Sequence, residues 1–408
     1  MTDATTARVT YNPYDYQVHE DPYPTYELLR RTCPVFRNDE FDFWALSRYG
    51  DVLGAFRNPG QFSSRFGVSL DPVAYGPHAH KSMSFLALDP PAHTHMRALV
   101  SRAFTPKRIN LLEDHIRKLT RDYLEGILDG GQFDFVVDFA GRLPMDVISE
   151  LIGVPGEDRD EVRRLADLLV HRQEDVFDVP PQGIEAGLIL AGYFAELISD
   201  HQANPRDDLT SGLLGAELDG KMLSVDEIIS FLVLMVVAGN ETTTKLLANA
   251  WYWAWKFPDE RAKVMEDPNL IPDWVEETVR FDTSTQTLAR VTNDDCTIAG
   301  VLVPRNSRVL LLVGSANRDE DVFEGACEYR VTRDNSKLLS FGNGRHFCMG
   351  ASLARLEAKI ALEELLGRVV DYEVDEGRMK RVHSINVRGF ARLPTSVTLK
   401  GSRLTLGD

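Results

Sequence analysis

The residues best suited to chemistry lie in one short run near the C-terminus, Phe341-Gly342-Asn343-Gly344-Arg345-His346-Phe347-Cys348-Met349-Gly350. Gly342, Gly344 and Gly350 permit tight turns and a close approach of backbone to a flat ligand. Directly afterwards, from Ala351 to Val370, the apolar residues Leu353, Leu356, Ile360, Leu362, Leu366 and Val369 have the spacing of an amphipathic helix. A thiolate at Cys348 would therefore face a helix N-terminus, whose dipole and free N–H groups lower a thiol pKa. The same amides would tune electron donation from the sulfur to a metal. A buried structural cysteine in a Gly-rich turn is the other reading of this spacing taken alone.

Two further motifs have chemistry of their own. Ala238-Gly239-Asn240-Glu241-Thr242 falls midway along a long apolar helical stretch. Glycine inside a helix costs about 1 kcal/mol relative to alanine, so its presence asks for a reason. Thr242 can turn its hydroxyl to a carbonyl one turn back and open a local kink or groove; an imperfect core helix is the alternative. Glu277-Thr278-Val279-Arg280 sets a carboxylate and a guanidinium three apart on one helical face. Most such pairs are solvated and contribute about a few tenths of a kcal/mol.

The run around Cys348 resembles the heme-binding signature of the cytochrome P-450 family, Phe-Gly-x-Gly-x-His/Arg-x-Cys-x-Gly, with every fixed position met. The resemblance extends along nearly all of the chain. It implies a heme b cofactor with Cys348 as its axial metal ligand, Phe341 packed beside the sulfur and Gly350 closing the motif. A thiolate ligand favours cleavage of the O–O bond. The stretch from Gly239 to Thr242 is similar to the family's oxygen-binding groove, with Thr242 as the hydrogen-bonding hydroxyl and Glu241 supplying protons through water. The family more often carries Asp at the position of Glu241. Glu277 and Arg280 resemble its Glu-x-x-Arg motif, and Arg333 is the expected third member of a structural network that holds the Cys348 loop. The two heme carboxylates need neutralising partners, for which arginine's planar fork is well suited. His93, Arg97, Arg290 and His346 match the family's propionate ligands. Two departures stand out: the segment after Asn317-Arg318-Asp319 lacks the usual proline, and Asn306 stands where glycine is common.

The elements that must carry these residues are mostly helical. The expectation is a mostly α chain with a minor β portion, one cytochrome P-450 domain over residues 1–408 with a long central helix over the heme. The β-rich part is placed mainly at 35–65, 285–315 and 380–400, and the helical part at 89–280 and 350–370. Ser224-Val225-Asp226-Glu227 is a capping box and starts the long helix, which should run to Phe257-Pro258. Asp89-Pro90-Pro91 reads as a capped helix start, a further helix follows Asp273, and Gly67–Leu88 reads as a loop. Strands are expected at Phe41–Leu46, Cys296–Val303, Arg308–Val313, Val382–Val387 and Ser396–Leu399.

Bulk properties narrow the partners. The 408 residues carry a formal charge of −17, which repels phosphate backbones and anionic membranes. No nucleic acid partner is expected. The greasiest segment, Phe231–Gly239, is about half of the ~20 residues needed to span a bilayer, and Met1–Arg8 lacks the pattern of a signal peptide. The four cysteines include no Cys-x-x-Cys pair. A cytoplasmic monomer without a membrane anchor is the expectation.

No flavin or nicotinamide fingerprint is present, so electrons should come from NAD(P)H through a separate reductase with a ferredoxin or flavodoxin. That partner is expected to dock near Arg102, Lys107, Arg108, Arg345, Arg355 and Lys359. The resemblance places the substrate pocket at Arg65–Leu88, parts of 165–200, Leu234–Ala238, Thr283–Leu288 and Ile385–Val387. It should be lined by Phe66, Phe85, Leu86, Leu88, Met235, Val237 and Leu288, which suits a small apolar substrate. Asn386 and the run Thr283–Gln286 could hold a polar end. The implied reaction is insertion of one atom of O2, most simply hydroxylation. A peroxide-driven peroxygenase and a non-catalytic heme sensor are the rivals, and the acid–alcohol pair Glu241 and Thr242 weighs against both.

Overall fold

The computed structural model describes residues 9–101, 104–105, 109–174 and 176–400. The longer helices that concern the site are α1 (Ala92–Val100), α2 (Glu113–Ile127), α3 (Leu143–Ile152), α4 (Arg159–Val170), α5 (Pro181–Ala203), α6 (Val225–Lys256), α7 (Ile271–Phe281) and α8 (Ala351–Arg368). At 32 residues α6 is the axis of the molecule, packed against α3, α4, α5, α7 and α8. Its start is the expected capping box: the Glu227 backbone N–H donates to Ser224 Oγ at 3.2 Å, and the Ser224 N–H donates to the Glu227 carboxylate at 2.8 Å. It ends at Lys256, before Pro258. Ile228, Phe231, Leu232, Val236 and the run Thr243–Ala250 are all buried, as an apolar helix inside a core requires.

A five-stranded sheet flanks the helices, in the order Val35–Asn38, Phe43–Leu46, Arg308–Leu312, Thr287–Thr292, Phe62–Ser63. The turn leading into Arg308–Leu312 holds Asn306 at φ 61°, in the left-handed region that asparagine tolerates and glycine adopts freely, so the substitution at this position keeps the turn. Antiparallel pairing puts Arg290 opposite Val309, and this fixes where its side chain enters the molecule.

Several local expectations are corrected. Asp89 does not cap α1, whose N-cap is Pro91. Its carboxylate instead accepts from Ser63 Oγ at 2.5 Å and from the Ser64 N–H at 2.9 Å, because that sheet edge supplies donors next to it. The effect is to tie α1 to the sheet. Val382–Val387 is not a strand; Lys380–Arg381 and Phe390–Arg392 pair instead, and the intervening segment is held by single bonds such as Arg172 N–H to His383 O at 2.8 Å. Gly67–Leu88 contains short helical turns at Pro72–Ala74, His80–Met83 and Ser84–Ala87.

The loop that carries Cys348 is anchored through α7. Glu277 and Arg280 are fully buried and form a two-pronged pair at 2.7 and 2.9 Å. Arg333 Nε reaches the same carboxylate at 3.3 Å, and the Arg330 N–H reaches it at 2.8 Å. Arg280 also donates to the carbonyls of Asn317 and Ala326, each at 2.9 Å. The Asn317 side chain then holds the Leu339 N–H at 2.8 Å and Ser340 Oγ at 2.7 Å, immediately ahead of Phe341. Truncating one partner of such a buried set strands the other charges without water. Glu277→Ala should therefore lose about 3–5 kcal/mol of unfolding free energy, read from denaturant titration.

Candidate functional site

Cys348 sits at the tip of a tight loop. Its N–H donates to Phe341 O at 2.8 Å, and Gly342 and Gly344 both turn at φ 70°, a conformation that side chains resist. A side chain at Gly344 would also come within 3.0 Å of the Phe56 carbonyl, so the loop lies directly on the end of the helix Tyr49–Arg57. The Gly350 and Ala351 N–H groups at the start of α8 hydrogen-bond the sulfur. Cys348 is enclosed by protein, yet its side chain keeps accessible surface, which places it on the wall of an internal cavity. Burial raises its thiol pKa, opposed by the Gly350 amide, the Arg97 and Arg355 guanidiniums and the Ala351 amide. A metal cation is what would hold such a sulfur as the anion.

Beside the loop is a buried basic cluster. The His93 and His346 rings lie 4.1 Å apart. All four of their nitrogens are buried without a hydrogen-bond partner. Burial, reinforced by facing cations, pushes His93 down to about 4 and His346 to about 2. Arg290, only 4% exposed, donates to the Ala289 carbonyl at 2.7 Å, and burial pulls it down to about 10. Arg97, half-buried, adds a second guanidinium, 5.9 Å from the Phe85 ring centre. Unsatisfied donors and desolvated cations of this kind call for buried anions. Two carboxylates beside a flat ring on Cys348 fit them. The donor set and the orphaned ring nitrogens thus suit the heme that the motif implies.

The central helix keeps accessible surface along its middle turns. Leu234 and Thr242 are half-buried and Ala238 between them is exposed, at i, i+4 and i+8 along the helix. Thr242 Oγ1 donates to the Ala238 carbonyl at 2.7 Å, as expected from its type. Gly239 is different: a side chain there would meet Ile148 of α3 at 3.4 Å, so its smallness lets α3 approach α6. Glu241 also departs from expectation. Its carboxylate faces α4, with Lys245 Nζ at 3.1 Å and Asp167 as a hydrogen-bond partner. Lys245, one turn along, was legible as a partner in the sequence; Asp167, from another helix, was not.

The remaining sequence candidates divide. Leu86, Leu88, Val237 and Leu288 keep accessible surface, whereas Phe85 and Met235 are buried in the core. Phe85 packs on Phe231 and His93. Asn386 is committed to structure, donating to Ser69 Oγ at 3.1 Å and accepting from Thr287 Oγ1 at 3.2 Å. Gln286 likewise serves Thr283 O at 2.9 Å and Tyr23 OH at 3.2 Å. Of the residues expected at the docking face, Arg345 is exposed, but Arg355 is paired with Glu276 at 2.5 Å and Lys359 with Glu363 at 3.2 Å. Arg102, Lys107 and Arg108 lie outside the described residues.

Comparison with known proteins places this geometry. The family model described as Cytochrome P-450 matches residues 184–400. A putative cytochrome P-450 123 of Mycobacterium tuberculosis is 54% identical, over 95% of this chain and 96% of that protein. The vitamin D(3) 25-hydroxylase of Pseudonocardia autotrophica is 35% identical, over 97% and 99%. Among solved structures, CYP109E1 from Bacillus megaterium in complex with testosterone superposes with a TM-score of 0.87 at 31% identity, covering 94% of this chain and 99% of that one.

Arg290→Ala should weaken heme retention by roughly ten- to a hundredfold, the cost of about 1.5–3 kcal/mol for a lost charged hydrogen bond. Heme-to-protein ratio after dialysis against apomyoglobin checks it, and unchanged retention would remove Arg290 from the site.

Proposed function

Since this chain belongs to the cytochrome P-450 family and is a P-450 monooxygenase, we propose that it hydroxylates an apolar, steroid-sized substrate, with Cys348 as the thiolate that would hold its heme. The single observation that carries this assignment is the Cys348 loop, whose sulfur meets two amide donors beside His93 and His346, with four buried ring nitrogens left without partners. Heme bound there supplies dioxygen activation and the transfer of one oxygen atom, which thiolate ligation favours.

The chain's own residues do the rest. His93, Arg97, Arg290 and His346 orient the cofactor through its carboxylates. Leu86, Leu88, Val237 and Leu288 present an apolar wall that positions substrate and excludes water. The Thr242 hydroxyl, held against the Ala238 carbonyl, is fixed at the open stripe of α6 and can pass on a proton there. Glu241, its neighbour in sequence, is the carboxylate that would pass protons toward it through water. The steroid class is favoured by relatives whose printed descriptions name vitamin D(3) and testosterone. Electrons come from NAD(P)H through a reductase and a ferredoxin or flavodoxin that docks near Arg345, in a cytoplasmic protein working as a single P-450 domain. Among the described residues no helix is long and apolar enough to cross a membrane.

Titration of the ferric protein with testosterone should shift the Soret band toward high spin, and substrate-dependent NAD(P)H consumption with a surrogate ferredoxin system should follow. Protein that stays colourless after hemin reconstitution overturns the assignment. Thr242→Ala should divert electrons from hydroxylated product to hydrogen peroxide; unaltered coupling would count against its proton role. Arg345→Glu should slow electron transfer and alter its salt dependence, measured by stopped-flow reduction.

A further inference from the structure

Every segment expected to wall the substrate pocket, the central helix aside, contributes to one chain of side-chain hydrogen bonds. Arg172, just beyond α4, donates through Nη2 to Asp71 Oδ2 at 2.8 Å. Ser69 Oγ donates to the same oxygen at 2.5 Å, and Asn386 Nδ2 donates to Ser69 Oγ at 3.1 Å. Thr287 Oγ1 ends the chain, donating to Asn386 Oδ1 at 3.2 Å. Segments far apart in sequence are joined in this way.

The link between Arg172 and Asp71 is the charged one, and it is buried: Arg172 is 6% exposed and Asp71 1%. The guanidinium engages each of its nitrogens. Nε and Nη2 take the two carboxylate oxygens at 3.1 and 2.8 Å, and Nη1 reaches the carbonyls of Leu169, Val170 and His171 at 2.9, 3.0 and 3.2 Å. Carbonyls at a helix C-terminus have no partner within the helix, so Arg172 belongs to α4. Asp71 belongs to the other side, where Ser69 holds its carboxylate and its carbonyl accepts from the Ala74 N–H at 3.1 Å. The ion pair is therefore the joint between α4 and the segment Arg65–Leu88. A second bond across it, from the Val73 N–H to Asp178 at 3.1 Å, is exposed.

This joint lies directly beneath the surface. Pro72 and Val73, which follow Asp71, are exposed, and so are His171 and Gln173 on either side of Arg172. Burying two ions strips water from both, which offsets much of their attraction. At this depth, parting the two side chains gives that water back, so the joint is well ordered when shut and parts readily. Glu277 and Arg280 differ: neither has an exposed neighbour in sequence, and separating them would leave both charges dry.

We propose that the Asp71–Arg172 pair is the clasp of the substrate pocket, governing the size of ligand that passes between α4 and Arg65–Leu88 and the rate of its passage. When it is shut, the chain from Arg172 to Thr287 fixes the outer wall. When it parts, α4 and Arg65–Leu88 move as separate bodies, because each side keeps its own bonds. No covalent bond changes. Both residues act as positioning residues. The proposal rests on the heme pocket read above and adds the groups that control entry to it.

The test is ligand exchange in the ferric holoenzyme, followed at the Soret band by stopped flow, with clotrimazole as a bulky azole and imidazole as a small one. Asp71→Asn keeps the shape of the side chain and removes its charge. Clotrimazole association and dissociation should both rise by roughly ten- to a hundredfold, the range that a charged hydrogen bond supplies. Their ratio should change little, since a gate speeds entry and exit alike, and the imidazole rates should stay as in the wild type. Arg172→Lys keeps the charge without the two-pronged fork and should give a smaller rise. Ser69→Ala breaks the next link and leaves no buried charge alone. Its clotrimazole rates should rise roughly two- to tenfold, the range for a neutral hydrogen bond. Arg164→Gln, in the exposed pair with Glu161 on α4, should change nothing.

Unchanged clotrimazole rates in Asp71→Asn, or in Ser69→Ala where Asp71→Asn does not fold, overturn the clasp. An equal acceleration of imidazole overturns it too, as general loosening, and so does a rise in dissociation alone, which makes Asp71 part of the wall that holds the ligand. Wild-type holoprotein that binds neither azole overturns the heme pocket itself, and the clasp with it.

Discussion

Charge held away from water must be compensated by whatever lies next to it, and this constraint organises the interior of the protein. Three buried charge sets meet it in different ways. Around Glu277 the set is closed: Arg280, Arg333 and backbone groups satisfy every prong, and the network does nothing but hold position. Around Cys348 the set is open, with ring nitrogens of His93 and His346 that none of the described residues satisfies. Around Glu241 it is a pair, the buried carboxylate held by the equally buried Lys245 at 3.1 Å. The closed set is structural, and the open set suits an anionic cofactor.

The closed set matters because rigidity passes from it to the open one. Hydrogen bonds run from Arg280 to the Asn317 carbonyl, and from the Asn317 side chain to Leu339 and Ser340, without a flexible link. Phe341 follows and accepts the Cys348 N–H. On the opposite side Asp89 joins α1, with His93 and Arg97, to the edge strand beside Arg290. Sulfur and cations are thus fixed from two directions, which a rigid prosthetic group requires of its cradle.

Helix α6 separates two environments. One face leaves Leu234, Ala238 and Thr242 open to the interior, and the neighbouring face presents Glu241 and Lys245 to α4. Successive residues of a helix point about 100° apart, so adjacent positions 241 and 242 can belong to different compartments.

Much of this was legible in the sequence. The capping box at Ser224, the apolar first half of α6, the glycine turns and the basic residues at i and i+4 in α1 are local patterns, and local patterns are set by backbone sterics and short-range bonds. Thr242 bonding Ala238, and Lys245 lying one turn from Glu241, follow from helix geometry alone. What the sequence could not decide was which distant groups meet. Asp89 chose Ser63 and Ser64 over the helix cap, Asn386 was taken by Ser69 and Thr287, and Gly239 proved to face Ile148. Asp167, some seventy positions before Glu241, carries no motif that marks it as a partner. Such pairings depend on how helices cross and strands register, and those are settled by packing of the whole core, where one polar group's local preference is small beside the apolar surface being buried.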